Sequence, residues 1–307
     1  MQEGFVLAIF GPTASGKTAV AEELAFRFPA ELISADSMQV YRGLPILTNQ
    51  PATPTRLVGI WDLDHDASVA EYQQLAHEAI DAAIDDDKTP VVAGGTGLYL
   101  RAALSSLQLP PAPRAGQREH WQRVYDSVGG QRAHELLAER DPAAAAAVHA
   151  NDRRRVVRAL ELTDVGRSLK PPVDRLWSAQ TRHATVIVGL EVPREELLRR
   201  IEHRTRAMFA AGVEEEVARA LAGPISATAR KALGLEEIAL LGHEEAIEAI
   251  NIRTRRYAAY QRKWLRRIPG LVSVAADRPR GEVADEILEV VRARQRLPAR
   301  RGGAADA

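Results

Sequence analysis

The stretch FVLAIFGPTASGKTAVAEELAFRF, from Phe5 to Phe28, decides the fold. Phe5–Phe10 is an unbroken apolar run, which is typical of a strand buried on both faces. Gly11–Thr18 matches the pattern G-x-x-x-x-G-K-[ST], in which the amides of a glycine-rich turn and of a helix N-terminus surround a phosphate. Ala19–Phe28 then shows helical spacing. This succession of strand, loop and helix predicts a phosphate site at the edge of a parallel sheet.

The loop Gly11–Thr18, called the P-loop below, carries the groups that an anion site needs. Lys17 adds a positive charge, and the Thr18 hydroxyl is suited to hold Mg²⁺ beside a phosphate. We expect the whole loop to contribute to the site: Gly11, Pro12, Thr13, Ala14, Ser15, Gly16, Lys17 and Thr18. The pattern does not identify the phosphate, because kinases, nucleotide hydrolases and some group transferases all use it.

Two further predicted strands end in residues that can do chemistry. Glu31–Ala35 is followed by Asp36, whose carboxylate could ligate Mg²⁺ or accept a proton from an attacking group; a helix cap is the alternative. Pro90–Ala93 is followed by the turn Gly94–Gly97, whose Thr96 hydroxyl could donate to an oxyanion; a tight turn with nothing bound is the alternative. Because parallel strands end at one sheet edge, we expect these residues to lie beside the P-loop.

The rest of the chain predicts a sheet interrupted by helices. A helix is predicted at Val69–Ile84, and a proline-rich break at Leu109–Arg114 precedes four more helices: Trp121–Ser127, Gln131–Glu139, Pro142–Ala150 and Asp152–Asp164. Later elements are predicted at Thr185–Val192 (strand), Arg194–Gly212, Val213–Ala222, Glu244–Ile268, Val272–Ala275 (strand) and Gly281–Arg296. The predicted fold class is α/β, a P-loop NTPase-like parallel sheet flanked by helices, with an inserted all-helical domain.

The predicted domains follow from these elements. Residues 1–112 together with 183–296 form the catalytic core, residues 113–182 form the helical insertion, and residues 297–307 form a disordered tail. The chain of 307 residues has no cysteine, which excludes disulfides, thiolate catalysis and cysteine-ligated zinc. No apolar run reaches the roughly 18–20 residues of a membrane span, and the first residues lack the positive charge of a signal peptide. We expect a cytoplasmic protein without membrane association.

The net charge of zero hides two halves of opposite sign. Residues 1–150 hold 11 Lys/Arg and 19 Asp/Glu, whereas residues 151–307 hold 30 and 22. Arginines cluster in Asn151–Glu161 and in Arg253–Arg267, and both clusters suit nucleic-acid phosphates; a solvated helix surface is the alternative. Three aromatic residues of the second cluster lie on one face of the predicted helix: Tyr257, Tyr260 and Trp264. Such a face is more often buried in a protein core than used to stack on nucleic-acid bases.

A second pair of arginines is a candidate for the phosphate site. Arg200 and Arg204 lie one turn apart on the helix after the predicted strand Thr185–Val192. Either side chain could reach the P-loop. Surface ion pairs with Glu196 or Glu202 are the alternative.

Five segments, in this order and spacing, resemble the tRNA dimethylallyltransferase (tRNA isopentenyltransferase) family: GPTASGKT, ISADSMQVYRG, VVAGGTGLYLRA, NDRRRVVRALE and TRRYAAYQRKWLRR. The resemblance implies transfer of a dimethylallyl group from dimethylallyl diphosphate to the N6 amine of the adenine 3′ of a tRNA anticodon. That adenine would be flipped out of its stack. Free-adenylate isopentenyltransferases share the first three segments, so a free-nucleotide enzyme is one alternative and a P-loop small-molecule kinase is another.

The resemblance also implies roles for individual residues. Asp36 matches the general base and Thr96 the threonine at the leaving oxygen, while Lys17 and Arg204 would stabilise the diphosphate as its charge grows. Thr18 would hold Mg²⁺. The tRNA-contacting residues would be Asp36, Ser37, Met38, Gln39, Thr96, Arg154, Arg155, Val156, Val157 and Arg158. The helical insertion would grip the anticodon stem, and we expect the protein to act as a monomer.

Overall fold

The computed structural model of the chain describes residues 4–111, 114, 116–170 and 175–296. It contains two compact units: one comprises Met1–Ser106 and Ala179–Ala307, and the other comprises Leu107–Ser178. The roles predicted for a catalytic core and a tRNA-gripping insertion stay predictions. The predicted tail, residues 297–307, lies outside the described residues.

A five-stranded parallel sheet forms the centre of the first unit, with the strand order β2-β3-β1-β4-β5. The strands are β1 (Phe5–Phe10), β2 (Ala30–Ser34), β3 (Thr89–Gly94), β4 (Ala184–Glu191) and β5 (Val272–Ala275). Central β1 pairs with both β3 and β4, so Leu7 lies opposite Val91 on one side and Val186 on the other. The predicted fold class, a parallel α/β sheet flanked by helices, is confirmed.

The helices follow the predicted order with small shifts at their ends. They are α1 (Lys17–Arg27), α2 (Val69–Asp85), α3 (Gly97–Leu104), α4 (Gln117–Arg140), α5 (Pro142–Ala147), α6 (Arg153–Thr163), α7 (Arg194–Ala210), α8 (Val213–Leu221), α9 (Leu235–Leu240), α10 (His243–Leu265) and α11 (Arg280–Arg296). The short α9 and a 3-10 turn at Ala229–Lys231 were not predicted. None of the described helices is both long and apolar enough to cross a membrane.

Apolar packing against the sheet holds the strands whose carboxyl ends form the candidate site. Leu7 and Ile9 of β1 are fully buried and pack in one cluster with Leu24 of α1 and Ile287 of α11. This packing fixes β1, and the P-loop leaves its carboxyl end. Asp36 follows β2, and the turn Gly94–Gly97 follows β3, so three loops converge at the edge where ligands of parallel sheets bind.

A second apolar cluster holds the later helices of this unit together. Met208 and Phe209 of α7, Val217 of α8, Leu235 of α9 and Ile250 of α10 are buried in it. Burial of such side chains contributes about 1.5–3 kcal/mol each. The cluster therefore fixes the positions of α7 and α10, which carry Arg204, Tyr257 and Gln261.

The second unit is a small helical domain with its own core. Trp121 and Leu137 of α4 pack with Val156 and Leu160 of α6. Helix α4 contains a break, because Gly129 has a φ of 81° that an L-residue rarely adopts, and this break lies between the two helices predicted there. The break therefore agrees with the two predicted helices, Trp121–Ser127 and Gln131–Glu139, which are joined across this kink.

Candidate active site

The P-loop is shaped by backbone conformations that leave amides facing the site. Ala14 and Gly16 lie in the left-handed region, with φ values of 63° and 90°. Helix α1 begins at Lys17, and no side chain caps its N-terminus. Uncapped amides at a helix N-terminus attract an anion through the helix dipole and direct hydrogen bonds. Gly11, Pro12 and Ser15 of the loop are buried.

Two cations face this loop. Lys17 Nζ donates to the Pro12 carbonyl oxygen at 2.8 Å. Arg204 of α7 donates from Nη1 to Thr13 Oγ1 at 2.7 Å. Burial lowers the pKa of Lys17 to about 8; Asp36 opposes this shift and Arg204 adds to it. Burial also lowers the pKa of Arg204, again opposed by Asp36. A diphosphate bound here would replace the water that these cations have lost.

Of the two candidate arginines on α7, only Arg204 bonds to the P-loop within the described residues. Arg200 is held by Glu196 Oε1 at 2.6 Å and by the Ala276 carbonyl at 3.1 Å. For Arg200 the predicted alternative, an ion pair with Glu196, is therefore correct. Arg204 does reach the P-loop, and its role at a diphosphate stays a prediction.

Asp36 lies one residue beyond Ala35, at the exit of β2. Its Oδ1 accepts from the Met38 amide at 2.9 Å, which holds the carboxylate in a fixed turn. Among the residues that the structure describes, no hydrogen bond holds the other carboxylate oxygen, and Asp36 lines the cavity, so this oxygen is open to a ligand. The carboxylate also acts on the pKa values of Lys17 and Arg204, which places it within electrostatic reach of both cations.

The turn Gly94–Gly97 packs tightly against the loop after β2. A Cβ on Gly94 would lie 2.1 Å from the Ala35 carbonyl oxygen, so no larger residue fits there. The Ser37 amide donates to Thr96 Oγ1 at 3.3 Å, and the Tyr257 hydroxyl lies 3.4 Å from the same oxygen. Burial, with a smaller effect of Asp36, raises the pKa of Tyr257 to about 12, so this phenol stays protonated.

The residues after Asp36 form an ordered wall of the site. Gln39 accepts from the Ser34 hydroxyl at 2.8 Å and donates from Nε2 to the Asn49 carbonyl at 2.8 Å. Met38 packs at the rim of the second apolar cluster. These contacts hold Gln39 and Met38 in place, and the predicted contact of Ser37, Met38 and Gln39 with tRNA stays a prediction.

Sequence reasoning missed Gln261 of α10 as a site residue. Its Oε1 accepts from the Thr13 amide at 2.8 Å, and its Nε2 donates to the Gly95 carbonyl at 2.8 Å. The side chain is 2% exposed. Gln261 thus joins the P-loop to the turn after β3, and Tyr257, one helical turn earlier, reaches the same turn through Thr96.

These elements surround one cavity of about 970 Å³. Its polar wall is made by residues of the P-loop, the Asp36 loop and α7, including Thr13, Lys17, Thr18, Asp36, Gln39 and Arg204. Its apolar wall is made by Leu47, Ile201, Met208, Leu233 and Ile250. A cavity with cations at one part of its wall and aliphatic side chains at another suits a phosphate ester with an alkyl chain.

The arginines of α6 belong to the second unit and are of two kinds. Arg154 and Arg155 are exposed. Arg158 donates to Glu161, whose side chain is fully buried, and to the Pro111 carbonyl. Val156 and Val157 are buried in the helical core, so within this segment the exposed arginines offer the accessible side chains. Binding of tRNA by this segment stays a prediction.

No cluster of three or more His, Cys, Asp or Glu side chains that could hold a metal occurs within the described residues. Thr18 and Asp36 both line the cavity, however. Mg²⁺ commonly takes one or two protein ligands and completes its shell with substrate phosphates and water. The donor set here fits that mode of binding and does not form a closed protein cage.

Comparisons with known proteins agree with this geometry. A family model described as IPP transferase matches residues 39–268, and one described as Isopentenyl transferase matches residues 4–59. The tRNA dimethylallyltransferase of Streptomyces griseus is 38% identical over 93% of this chain and 95% of its own length. That of Desulforudis audaxviator is 39% identical over 85% of this chain and 89% of its own length.

Solved structures give the same result. The tRNA isopentenylpyrophosphate transferase of Bacillus halodurans has a TM-score of 0.69 at 31% identity, covering 96% of this chain and 97% of its own. A eukaryotic dimethylallyltransferase acting on tRNA has a TM-score of 0.71 at 24% identity, which supports the fold. The family model covers most of the chain, and the relatives share its length. This chain therefore belongs to the IPP transferase family.

Proposed function

We propose that the chain is a tRNA dimethylallyltransferase. It transfers the dimethylallyl group of dimethylallyl diphosphate to the N6 amine of the adenine 3′ of a tRNA anticodon, and diphosphate leaves. The C–O bond to the diphosphate breaks, an N–C bond forms, and the amine loses one proton. The observation that carries the proposal is the single cavity that joins a P-loop, two cations and a carboxylate to an aliphatic wall.

The P-loop and its cations serve the leaving group. Negative charge grows on the diphosphate as its bond to the allylic carbon breaks. Lys17 and Arg204 are hydrogen-bonded to the P-loop and no side chain caps the start of α1, so these groups would face the growing charge. Preorganised donors of this kind contribute most where water is excluded, because they need no reorganisation during the reaction.

Asp36 is the proposed general base. It is fixed by the Met38 amide and lines the cavity, so it can accept the proton of the amine as nitrogen attacks. Thr96 is held against Ser37 and Tyr257 and can donate its hydroxyl hydrogen to the leaving oxygen. The aliphatic wall would hold the five-carbon group and keep water from the allylic centre.

Mg²⁺ is proposed as the metal, held by the Thr18 hydroxyl together with the diphosphate. When bound, it would neutralise charge on the diphosphate. Lys17 and Arg204 remain the protein's own cations at that group, and both are positioned without the metal.

Two basic surfaces are proposed to bind the tRNA. Helix α10 exposes Arg255, Arg256, Arg262 and Lys263, with Arg266 directly after it, and α6 exposes Arg154 and Arg155. Contacts of this kind bind phosphates and carry little sequence information, so recognition of the adenine would depend on the cavity. Because the acceptor is tRNA, we propose that the enzyme acts in the cytoplasm; its action as a monomer stays a prediction.

An acceptor assay separates this proposal from a free-nucleotide prenyltransferase and from a kinase. The purified protein, Mg²⁺ and dimethylallyl diphosphate labelled in the alkyl group are mixed with unmodified tRNA in one reaction and with AMP, ADP and ATP in others. We expect label in tRNA alone. Label in the nucleotides alone would favour the free-nucleotide enzyme, and label in neither acceptor would favour the kinase.

A further inference from the structure

Gln261 is the buried amide that joins the two ligand-facing loops of the first unit. Its acceptor oxygen takes the Thr13 amide hydrogen and its amide nitrogen donates to the Gly95 carbonyl, each at 2.8 Å. Both bonds span long distances in sequence, 248 and 166 residues. An amide that uses both its donor and its acceptor in this way sets the separation of the two backbones it joins.

The turn after β3 is held by α10 at three successive residues. Gln261 bonds to Gly95, the Tyr257 hydroxyl lies 3.4 Å from Thr96 Oγ1, and the Trp264 ring covers Gly97. A Cβ at Gly95 would lie 2.3 Å from Gln261 Nε2, and one at Gly97 would lie 2.2 Å from the Trp264 ring. The two glycines therefore permit the close approach of α10 on either side of Thr96.

The P-loop is held at Thr13 from two sides. Gln261 occupies the Thr13 amide, and Arg204 occupies the Thr13 hydroxyl. Because its hydrogen is already donated, the Thr13 amide is not part of the anion-binding nest. Thr13 therefore serves as an anchor, and the diphosphate is left to the amides nearer α1 and to Lys17.

We propose that Gln261 is a positioning residue for the transfer reaction. It fixes the gap between the P-loop and Thr96, so that the Thr96 hydroxyl meets the leaving oxygen of a diphosphate held by the P-loop. This proposal rests on the proposed function of the site. Gln261 lines the cavity, but both ends of its amide are bonded to backbone groups, so its effect would pass through Thr13 and Gly95.

The chemistry of the amide makes the proposal testable. Gln261→Met keeps the length of the side chain and removes both hydrogen bonds to the backbone, together with the hydrogen bond to the Tyr257 side chain. Gln261→Glu keeps the acceptor for the Thr13 amide, but its ionised carboxylate cannot donate to the Gly95 carbonyl. When the introduced carboxyl group is protonated it can donate again, so this variant regains both bonds at low pH.

The first experiment measures kcat and KM for tRNA prenylation at saturating tRNA. For Gln261→Met we expect kcat to fall by about tenfold or more, with KM for dimethylallyl diphosphate within about threefold, since misplacement of a catalytic group affects the chemical step. Parent-like kcat in this variant would overturn the proposal. Asn251→Leu is the matched control, because Asn251 is another buried amide of α10, and we expect parent-like kcat and KM.

The second experiment uses Gln261→Glu, which also covers the case in which Gln261→Met fails to fold. We expect the ratio of its kcat to that of the parent to rise as the pH falls from about 9 to about 6. A purely structural side chain would lower the melting temperature and leave this ratio independent of pH, and that result would overturn the proposal. Failure of the proposed function is distinguishable, because the parent itself would then label no tRNA.

Discussion

Replacement of Arg204 by methionine separates two effects of this arginine: its stabilisation of the leaving diphosphate and its contribution to the stability of the fold. The change removes a buried guanidinium and keeps an unbranched side chain on α7. Within the described residues, the hydrogen bond recorded for Arg204 is the one to Thr13 Oγ1 at 2.7 Å, so its other donors remain for the leaving diphosphate. Loss of one such donor typically costs about 10²–10³ in kcat, or about 2.7–4 kcal/mol.

The effect on stability has the opposite sign or is small. A hydrogen bond to a charged group contributes about 1.5–3 kcal/mol. Burial of an ion with incomplete compensation costs several kcal/mol. Because burial already lowers the pKa of Arg204, the desolvation cost is present in the ligand-free protein. The methionine variant should therefore melt no lower than the parent, although its catalysis is impaired.

The assay combines single-turnover transfer of labelled dimethylallyl to tRNA with thermal unfolding. Arg199→Met is the matched control, because Arg199 lies on the same helix, is exposed and pairs with Glu196. We expect parent-like values for that control. A loss of less than about threefold in Arg204→Met would refute the reasoning, and so would a loss of activity that is accompanied by a large drop in melting temperature.

Four further predictions concern the base, the lysine, the basic surface and a buried ion pair. Asp36→Asn should lose most single-turnover prenyl transfer while calorimetry still shows binding of dimethylallyl diphosphate; unchanged turnover would remove Asp36 as the base. The affinity of the protein for diphosphate should fall as the pH rises through about 8, where Lys17 loses its charge. Lys17→Met should remove this dependence of affinity on pH. If the affinity of the variant still falls steeply near pH 8, a group other than Lys17 is responsible. The double change Arg154→Ala and Arg155→Ala should reduce the slope of log tRNA affinity against log salt concentration by about 2. An unchanged slope would show that neither arginine contacts tRNA phosphates. Arg158→Ala should instead lower stability, because it leaves the buried Glu161 with one cation fewer.

The sequence predicts those parts of the site that depend on a short contiguous motif or on the position of a residue at the end of a strand. The P-loop is a contiguous pattern between a strand and a helix, and the chain folds it as expected. The placement of Asp36 beside it follows from the rule that parallel strands end at one edge. The spacing of Arg200 and Arg204 places both on one helix face, but it does not choose between them; the contacts with Glu196 and with Thr13 do.

The parts that the sequence does not predict depend on packing between distant segments. Gln261 reaches the P-loop only because α10 lies against the turn after β3, and no nearby residue indicates this. The aromatic residues of α10 show the same limit. Tyr257 is partly buried, whereas Tyr260 is 54% exposed, so the interpretation of the aromatic stripe as core is wrong at Tyr260. Tyr260 lies just outside the buried face of α10, and residue spacing alone does not show where the buried face ends and the exposed face begins.

The short helix α9 was missed for a related reason. Leu235–Leu240 has six residues and is too short to be stable on its own. It forms because Leu235 is buried in the cluster with Val217 and Ile250, and because Gly234 takes a φ of 102° at its start. A helix of this kind exists through tertiary contacts, which composition and periodicity do not reveal.

The most direct test of the central claim is to identify the modified nucleoside by mass spectrometry. Two tRNA transcripts that differ only in adenine or guanine at the position 3′ of the anticodon are incubated with the protein, Mg²⁺ and dimethylallyl diphosphate, then digested. We expect N6-isopentenyladenosine from the adenine transcript and no prenylated nucleoside from the guanine transcript. Equal prenylation of both transcripts, or prenylation of neither, would contradict the claim that this cavity transfers dimethylallyl to that adenine.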